Sequence, residues 1–379
     1  MCCVRHAPAD DYFVSLREAF PITRTRSYLF AGGLAPLSEP GRKALAEYAR
    51  LCAADPVTAY REYASSEAER LRERVARFIG ARAEEVGIVD STSRGNNLGV
   101  QLIDAPPGGN VVVDSTTYPS ALYPWLHPTR AHVEIRRVPD ECGRPVVEAF
   151  ERLVDDRTVA ISVSHVCRLT GFRHDLRRLA RLAHAVGASL LVDAAQSVGA
   201  IAIDVGDAEV DVMAFGAMKW LLGTPGVAFL YVAPAFAERY AASGSGAALT
   251  DAAHATGSLR FELRTLHWGG LAASRRGAEL LSGPGMRAVE QLVLQLSGLV
   301  IEGLRERGID VLTPTDAERR AGIVAFRHHQ PEALRLHLRA LGIDVWGWQE
   351  RELVRADPHV YNDQADIERF LSGLDVFPG

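Results

Sequence analysis

The 379-residue sequence predicts an α/β fold: a large unit built on a mostly parallel sheet covered by helices, followed by a smaller α+β unit. Three observations carry this. Through the middle of the chain, short apolar runs of strand length alternate with amphipathic stretches of helix length. From Gly270 onward the pattern changes to a long helical region and then to short strands and helices. The composition, 47% hydrophobic and 23% charged, is that of a globular chain long enough for one large core and a smaller domain.

Taken in order, residues 87–90 read as a strand and 94–103 as a helix. Residues 111–114 form the next apolar run, followed by a helical turn over 119–126. Runs at 135–138 and 159–163 read as strands, and 175–186 carries leucines at helical spacing. Strands follow at 189–192, 210–215 and 227–232. The segment 243–257 is small and polar and reads as a mobile loop. A helical region then runs to about residue 307, broken at Gly283-Pro284-Gly285. After it come strands at 311–312, 323–326, 343–346 and 353–355, with helices over 331–341 and 364–374. The expected division is a 1–35 segment packing with the small domain, a large domain over 36–270 and a small domain over 271–379.

Several function classes are disfavoured at once. The net charge is −5 and the arginines are scattered, so no basic field points to nucleic acid. No apolar run approaches membrane-spanning length, and the N-terminus lacks an apolar signal core, so a soluble cytoplasmic protein is expected. The five cysteines, Cys2, Cys3, Cys52, Cys142 and Cys167, show no metal spacing, nor do the histidines, and no metal is expected.

One residue stands out against this background. Of 42 basic residues only Lys43 and Lys219 are lysine. Lys43 sits at a helix start and reads as a solvated face residue. Lys219 lies in the apolar setting Val212-Met-Ala-Phe-Gly-Ala-Met-Lys219-Trp-Leu-Leu-Gly. Arginine stays protonated, whereas a lysine in an apolar pocket can lose its proton and form an imine with a carbonyl. Asp193 closes the run Leu190-Leu-Val192, at the carboxyl end of a strand, where open α/β sheets bind ligands. Alone it is either a helix cap or a ligand contact. With Lys219 one strand later, both side chains can face one crevice. The pair suits pyridoxal phosphate: the lysine as Schiff-base partner, the carboxylate holding a proton on the pyridine nitrogen.

The sequence Leu191-Val-Asp193-Ala-Ala-Gln196-Ser-Val-Gly, then Asp211, then Lys219-Trp-Leu-Leu-Gly223-Thr-Pro-Gly226, resembles the class V aminotransferase family, which includes cysteine desulfurases, kynureninase and isopenicillin N epimerase. The resemblance extends to the N-terminal strand at Tyr28-Leu-Phe-Ala31-Gly-Gly, the segment Ser164-His-Val-Cys-Arg168-Leu-Thr170-Gly171, and the C-terminal motif Val354-Arg355-Ala-Asp-Pro-His359-Val-Tyr361-Asn362. It implies the fold-type-I architecture of pyridoxal-phosphate enzymes, with a seven-stranded type of sheet, and a homodimer with shared active sites. By resemblance, Lys219 would be the Schiff-base lysine and proton shuttle, Asp193 the ring-nitrogen partner, Gln196 a neighbour of the cofactor's phenolic oxygen and Tyr118 the stacked aromatic ring. Ser93 and Arg94, where a strand enters a helix, would meet the phosphate, as a helix N-terminus favours an anion. Thr265 would reach the partner subunit's phosphate. Arg355 would grip the substrate α-carboxylate, with Ala31 beside the substrate. Trp346 and Trp348 read either as walls of the substrate pocket or as core or dimer-contact residues.

The sequence departs from the family pattern at three places. Met218 and Gly216 replace a histidine and a serine, leaving Arg168 or Arg94 to compensate at the phosphate. Arg168 stands where desulfurases usually carry asparagine. The desulfurase cysteine is absent, because residues 342–351 contain none and all five cysteines precede Gly171. The expected activity is therefore a C–S lyase acting by β-elimination on an S-substituted cysteine in specialised metabolism. The alternatives are a decarboxylating oxidative deaminase of such a substrate, an aminotransferase, an epimerase, and a non-catalytic scaffold, which would be expected to lose Lys219 or Asp193.

Overall fold

A computed structural model describes residues 9–237, 257–262 and 265–378. Cys2, Cys3 and residues 243–256 of the small polar segment lie outside the described residues. The central sheet has seven strands among the described residues. In spatial order they are Val86–Val89, Ala228–Val232, Val212–Gly216, Ser189–Asp193, Thr158–Ser164, Asn110–Asp114 and Glu134–Val138. Ala228–Val232 runs antiparallel to both neighbours, and the remaining pairs are parallel. The inner strands are buried residue by residue, as expected for a sheet covered on both faces.

The covering helices follow local chemistry. Asp175 accepts a hydrogen bond from Arg178 N at 3.0 Å and starts the helix Leu176–His184, which buries Leu176, Leu179, Ala180 and Ala183 against the sheet. Ser91 does the same for Thr92–Gln101, accepting from Arg94 N at 3.1 Å. Gly95 lets that helix lie close to the sheet, because a Cβ there would stand 2.7 Å from the Ala214 Cβ. The helix Pro56–Phe78 buries Ala59, Ala68, Leu71 and Val75.

A three-stranded antiparallel sheet, ordered Val324–Arg327, Leu353–Ala356, Trp346–Trp348, forms beyond the helices Trp268–Ser282 and Met286–Glu306. Two expected strands are corrected here. Residues 311–312 make only an isolated bridge, Val311 to Phe326, since the Arg144 guanidinium occupies the carbonyls of Val311, Leu312 and Thr313. Residues 343–346 divide at Val345 because the two halves have different partners. Ile343–Asp344 pairs with Ser27–Tyr28, and Trp346–Trp348 pairs with Leu353–Ala356.

Candidate active site

Four strands of the central sheet end together at Asp114, Ser164, Asp193 and Gly216, and register places Ser164 beside Asp193 and Asp193 beside Ala214. Asp193 is not a helix cap. No helix follows it, and its Oδ1 accepts from Ala195 N at 3.0 Å while its Oδ2 accepts from Asn96 Nδ2 at 2.8 Å. Asn96 also donates to Ser120 Oγ at 2.9 Å. Burial pushes the Asp193 carboxyl above its ordinary range, against the pull of these donors and of Lys219. A protonated nitrogen at this acid would relieve that penalty.

Lys219 follows the strand Val212–Gly216 on a strained turn. Leu222 holds φ at +58°, in the left-handed region, at a cost of about 1–2 kcal/mol. Hydrogen bonds fix the turn: Leu222 N to Lys219 O at 3.0 Å, Gly223 N to Ala217 O at 2.8 Å, and His359 Nε2 donating to Trp220 O at 2.8 Å. Gly199 makes room for it. Its φ is +95°, and a Cβ there would lie 2.4 Å from the Trp220 carbonyl. We expect Gly199→Ala to lower the thermal unfolding midpoint by about 2–4 °C, measured by calorimetry.

The Lys219 amine has no hydrogen-bond or ion-pair partner among the described residues and lies 5.8 Å from the centre of the Tyr118 ring. Water-poor surroundings push its pKa down to about 8, Asp193 opposing the shift and Arg355 adding to it. Tyr118 is 41% exposed, so it is not a core tyrosine and presents its ring to the cleft. Its backbone is anchored by Ser164 Oγ at 3.0 Å.

The helix Thr92–Gln101 points its N-terminus toward the same region. Thr92 Oγ1 would lie 3.0 Å from a Cβ at Gly216, so Gly216 leaves the Thr92 hydroxyl clear at the helix start. Ser93 is exposed and Arg94 half-buried at this turn. Met218 contributes by its backbone, its carbonyl accepting from Ala35 N at 2.9 Å.

Gln196 donates to Gly32 O at 2.9 Å and accepts from Trp220 Nε1 at 2.8 Å. Ala31 does not line the cleft. Its side chain is fully buried, and Gly32 next to it lies against Arg355 and Gln196. Arg355 is 4% exposed and paired with Asp357, whose Oδ2 accepts from its Nε at 3.0 Å and its Nη2 at 2.7 Å. Its Nη1 donates to Arg168 O. That leaves two of the five guanidinium N–H groups for a ligand. Trp346 pairs directly with Arg355 across the sheet, the guanidinium carbon 5.2 Å from its ring centre. Trp348 points to the same face and packs edge-on to Trp346 at 5.3 Å. Thr265 is exposed, and no described contact joins it to this cleft. Among the described residues no His, Cys, Asp and Glu cluster suits a metal, and no helix is long and apolar enough to cross a membrane.

These residues fit pyridoxal phosphate. A buried acid, an unpartnered amine of lowered pKa, an exposed ring and a helix N-terminus surround one cleft. Asn96 at Asp193, Trp220 at Gln196 and Asp357 at Arg355 complete it, roles that the sequence does not disclose.

The model of the family described as "Aminotransferase class-V" matches residues 27–370. An uncharacterized aminotransferase of Bacillus subtilis (strain 168) is 28% identical over 94% of this chain and 96% of its own. A cysteine desulfurase of Shigella flexneri is 27% identical over 82% of each chain. The structure of a cysteine desulfurase from Thermococcus onnurineus NA1 superposes with a TM-score of 0.80 at 25% identity, covering 96% of this chain and 97% of that one. With the cleft geometry, these findings establish that the chain belongs to the class-V aminotransferase family and is a pyridoxal-phosphate-dependent enzyme.

Proposed function

We propose that the enzyme is a C–S lyase of specialised metabolism that cleaves the Cβ–S bond of an S-substituted cysteine. One water is consumed, and a thiol, pyruvate and ammonia are released. The observation that supports this best is the composition of the wall formed by Trp346–Trp348 and Gln349–Arg351, which offers indoles and a guanidinium but no thiol. Cysteine desulfurases need a cysteine nucleophile in that part of the chain. The cysteines described lie elsewhere: Cys52 in the helix Glu39–Ala54, Cys142 exposed in a turn, and Cys167 buried with Leu169 and Phe172.

Each residue has a definable task in the elimination. Bound pyridoxal phosphate supplies an electron sink for the pair left when the Cα–H bond breaks. Lys219 Nζ takes the Cα proton and passes it on as the thiol departs. Asp193 keeps the ring nitrogen protonated, and Asn96 holds Asp193 in place. Tyr118 offers its ring as a stacking platform. Arg355 orients the substrate through its α-carboxylate, with Asp357 fixing the guanidinium. Thr92, Ser93 and the helix start hold the phosphate. We further propose a cytoplasmic homodimer in which Thr265 reaches the partner's phosphate, and the domain division near residues 35 and 270.

Holoenzyme given a panel of S-substituted cysteines is expected to release pyruvate, ammonia and thiol in equal amounts without added keto acid. Dependence on a keto acid would instead support the aminotransferase reading, for which the named Bacillus subtilis relative is the argument. Cα deuterium uptake without net turnover would indicate epimerisation, and either result overturns the lyase.

A further inference from the structure

Arg168 is not satisfied by the protein around it. It is half-buried, and its guanidinium has no carboxylate or carbonyl partner among the described residues. Of the four arginines buried among the described residues, Arg72, Arg275 and Arg355 each hold a carboxylate, Glu262, Glu67 and Asp357, while Arg320 donates to the Leu294 carbonyl. Arg168 instead lies between two rings, its guanidinium carbon 5.4 Å from the centre of Tyr118 and 5.1 Å from that of Trp348. Aromatic faces attract a cation but leave its N–H groups without a lone pair. Burial acts most against its charge and the nearby guanidinium groups of Arg351 and Arg355 add to this, while Tyr118 and Cys167 act in its favour. Taking a charge out of water without a partner is unfavourable, and beside Tyr118 at the cleft a ligand can supply that partner.

The placement of Arg168 indicates which ligand. Its backbone oxygen accepts from Arg355 Nη1, so the two arginines share one rim of the cleft. Trp346 lies against Arg355 and Trp348 against Arg168, with 5.3 Å between the indole centres. Two cationic forks joined by an apolar wall match a molecule with an anionic group at each end and a short apolar stem between. The cofactor's phosphate has its own place at the start of the helix Thr92–Gln101. Resting on the reading of this cleft as the amino-acid site, we propose that Arg168 is a specificity residue that binds a second anionic group, at the far end of the substrate side chain. The preferred substrate is then an amino acid with a distal carboxylate. On the lyase reading it is an S-(carboxyalkyl)cysteine.

The test compares S-carboxymethylcysteine with its neutral isostere S-carbamoylmethylcysteine. Binding is read from the change in cofactor absorbance, which needs no product, and turnover is followed separately. The native holoenzyme is expected to bind the carboxylate about 10–100-fold more tightly, the range for one or two charge-assisted hydrogen bonds. Arg168→Gln is expected to collapse that ratio to near unity, and Arg168→Lys to restore part of it. The proposal is overturned if the native enzyme binds both equally or neither. It is also overturned if Arg168→Gln weakens both ligands alike, or if its main effect is on cofactor affinity. The two proposals fail separately: a carboxylate preference without pyruvate removes the lyase and keeps the subsite, whereas pyruvate without a preference does the reverse.

Discussion

Lys219→Ala is expected to lower turnover by about 10³-fold or more and to remove the absorbance of the covalently held cofactor. Lys219→Arg should do the same, because a guanidinium keeps the charge but neither forms the imine nor moves the proton. Lys219→Ala leaves the fold intact, since the Lys219 amine makes no hydrogen bond or ion pair with a described residue and the turn is held by backbone contacts at Trp220, Leu222 and Gly223. The lowered pKa adds a pH signature. Only the unprotonated amine captures an aldehyde. The rate at which apoprotein takes up pyridoxal phosphate should therefore rise through pH 8 and then level off, as followed by absorbance, rather than keep rising toward the ordinary lysine value.

Asp193→Asn is expected to reduce kcat by about 10²–10³-fold with a much smaller change in KM. The amide matches the carboxylate in shape and can still accept from Ala195 N, but it cannot carry the charge that keeps a proton on the ring nitrogen. Its effect is chemical rather than structural, which steady-state kinetics beside an unchanged unfolding midpoint would establish. A loss confined to KM would contradict that role.

Much of this was legible in the sequence for a definite reason. The continuous apolar runs ending at Asp114, Asp193 and Gly216 are what a sheet buried on both faces requires, and Lys219 is conspicuous in a chain that otherwise uses arginine. What stayed hidden depends on contacts distant in sequence. Asn96 reaches Asp193 across 97 positions, and Asp344 finds Tyr28 rather than continuing into Trp346. Asp357 looks like an ordinary motif residue until its carboxylate is seen clamping Arg355. The helix Pro56–Phe78 buries several alanines, so its apolar face is faint as a pattern. The reversed direction of Ala228–Val232 leaves no mark in its residue types, which are those of any buried strand.

Two lysines make the central claim directly measurable. The holoenzyme is treated with borohydride to fix the cofactor to its amine, then digested, and the modified peptide is located by mass spectrometry. The account predicts one cofactor adduct per chain, on the peptide carrying Lys219. Lys43, whose side chain is 71% exposed on a helix surface, should remain unmodified. An adduct on Lys43, or no stoichiometric adduct on Lys219, would contradict it.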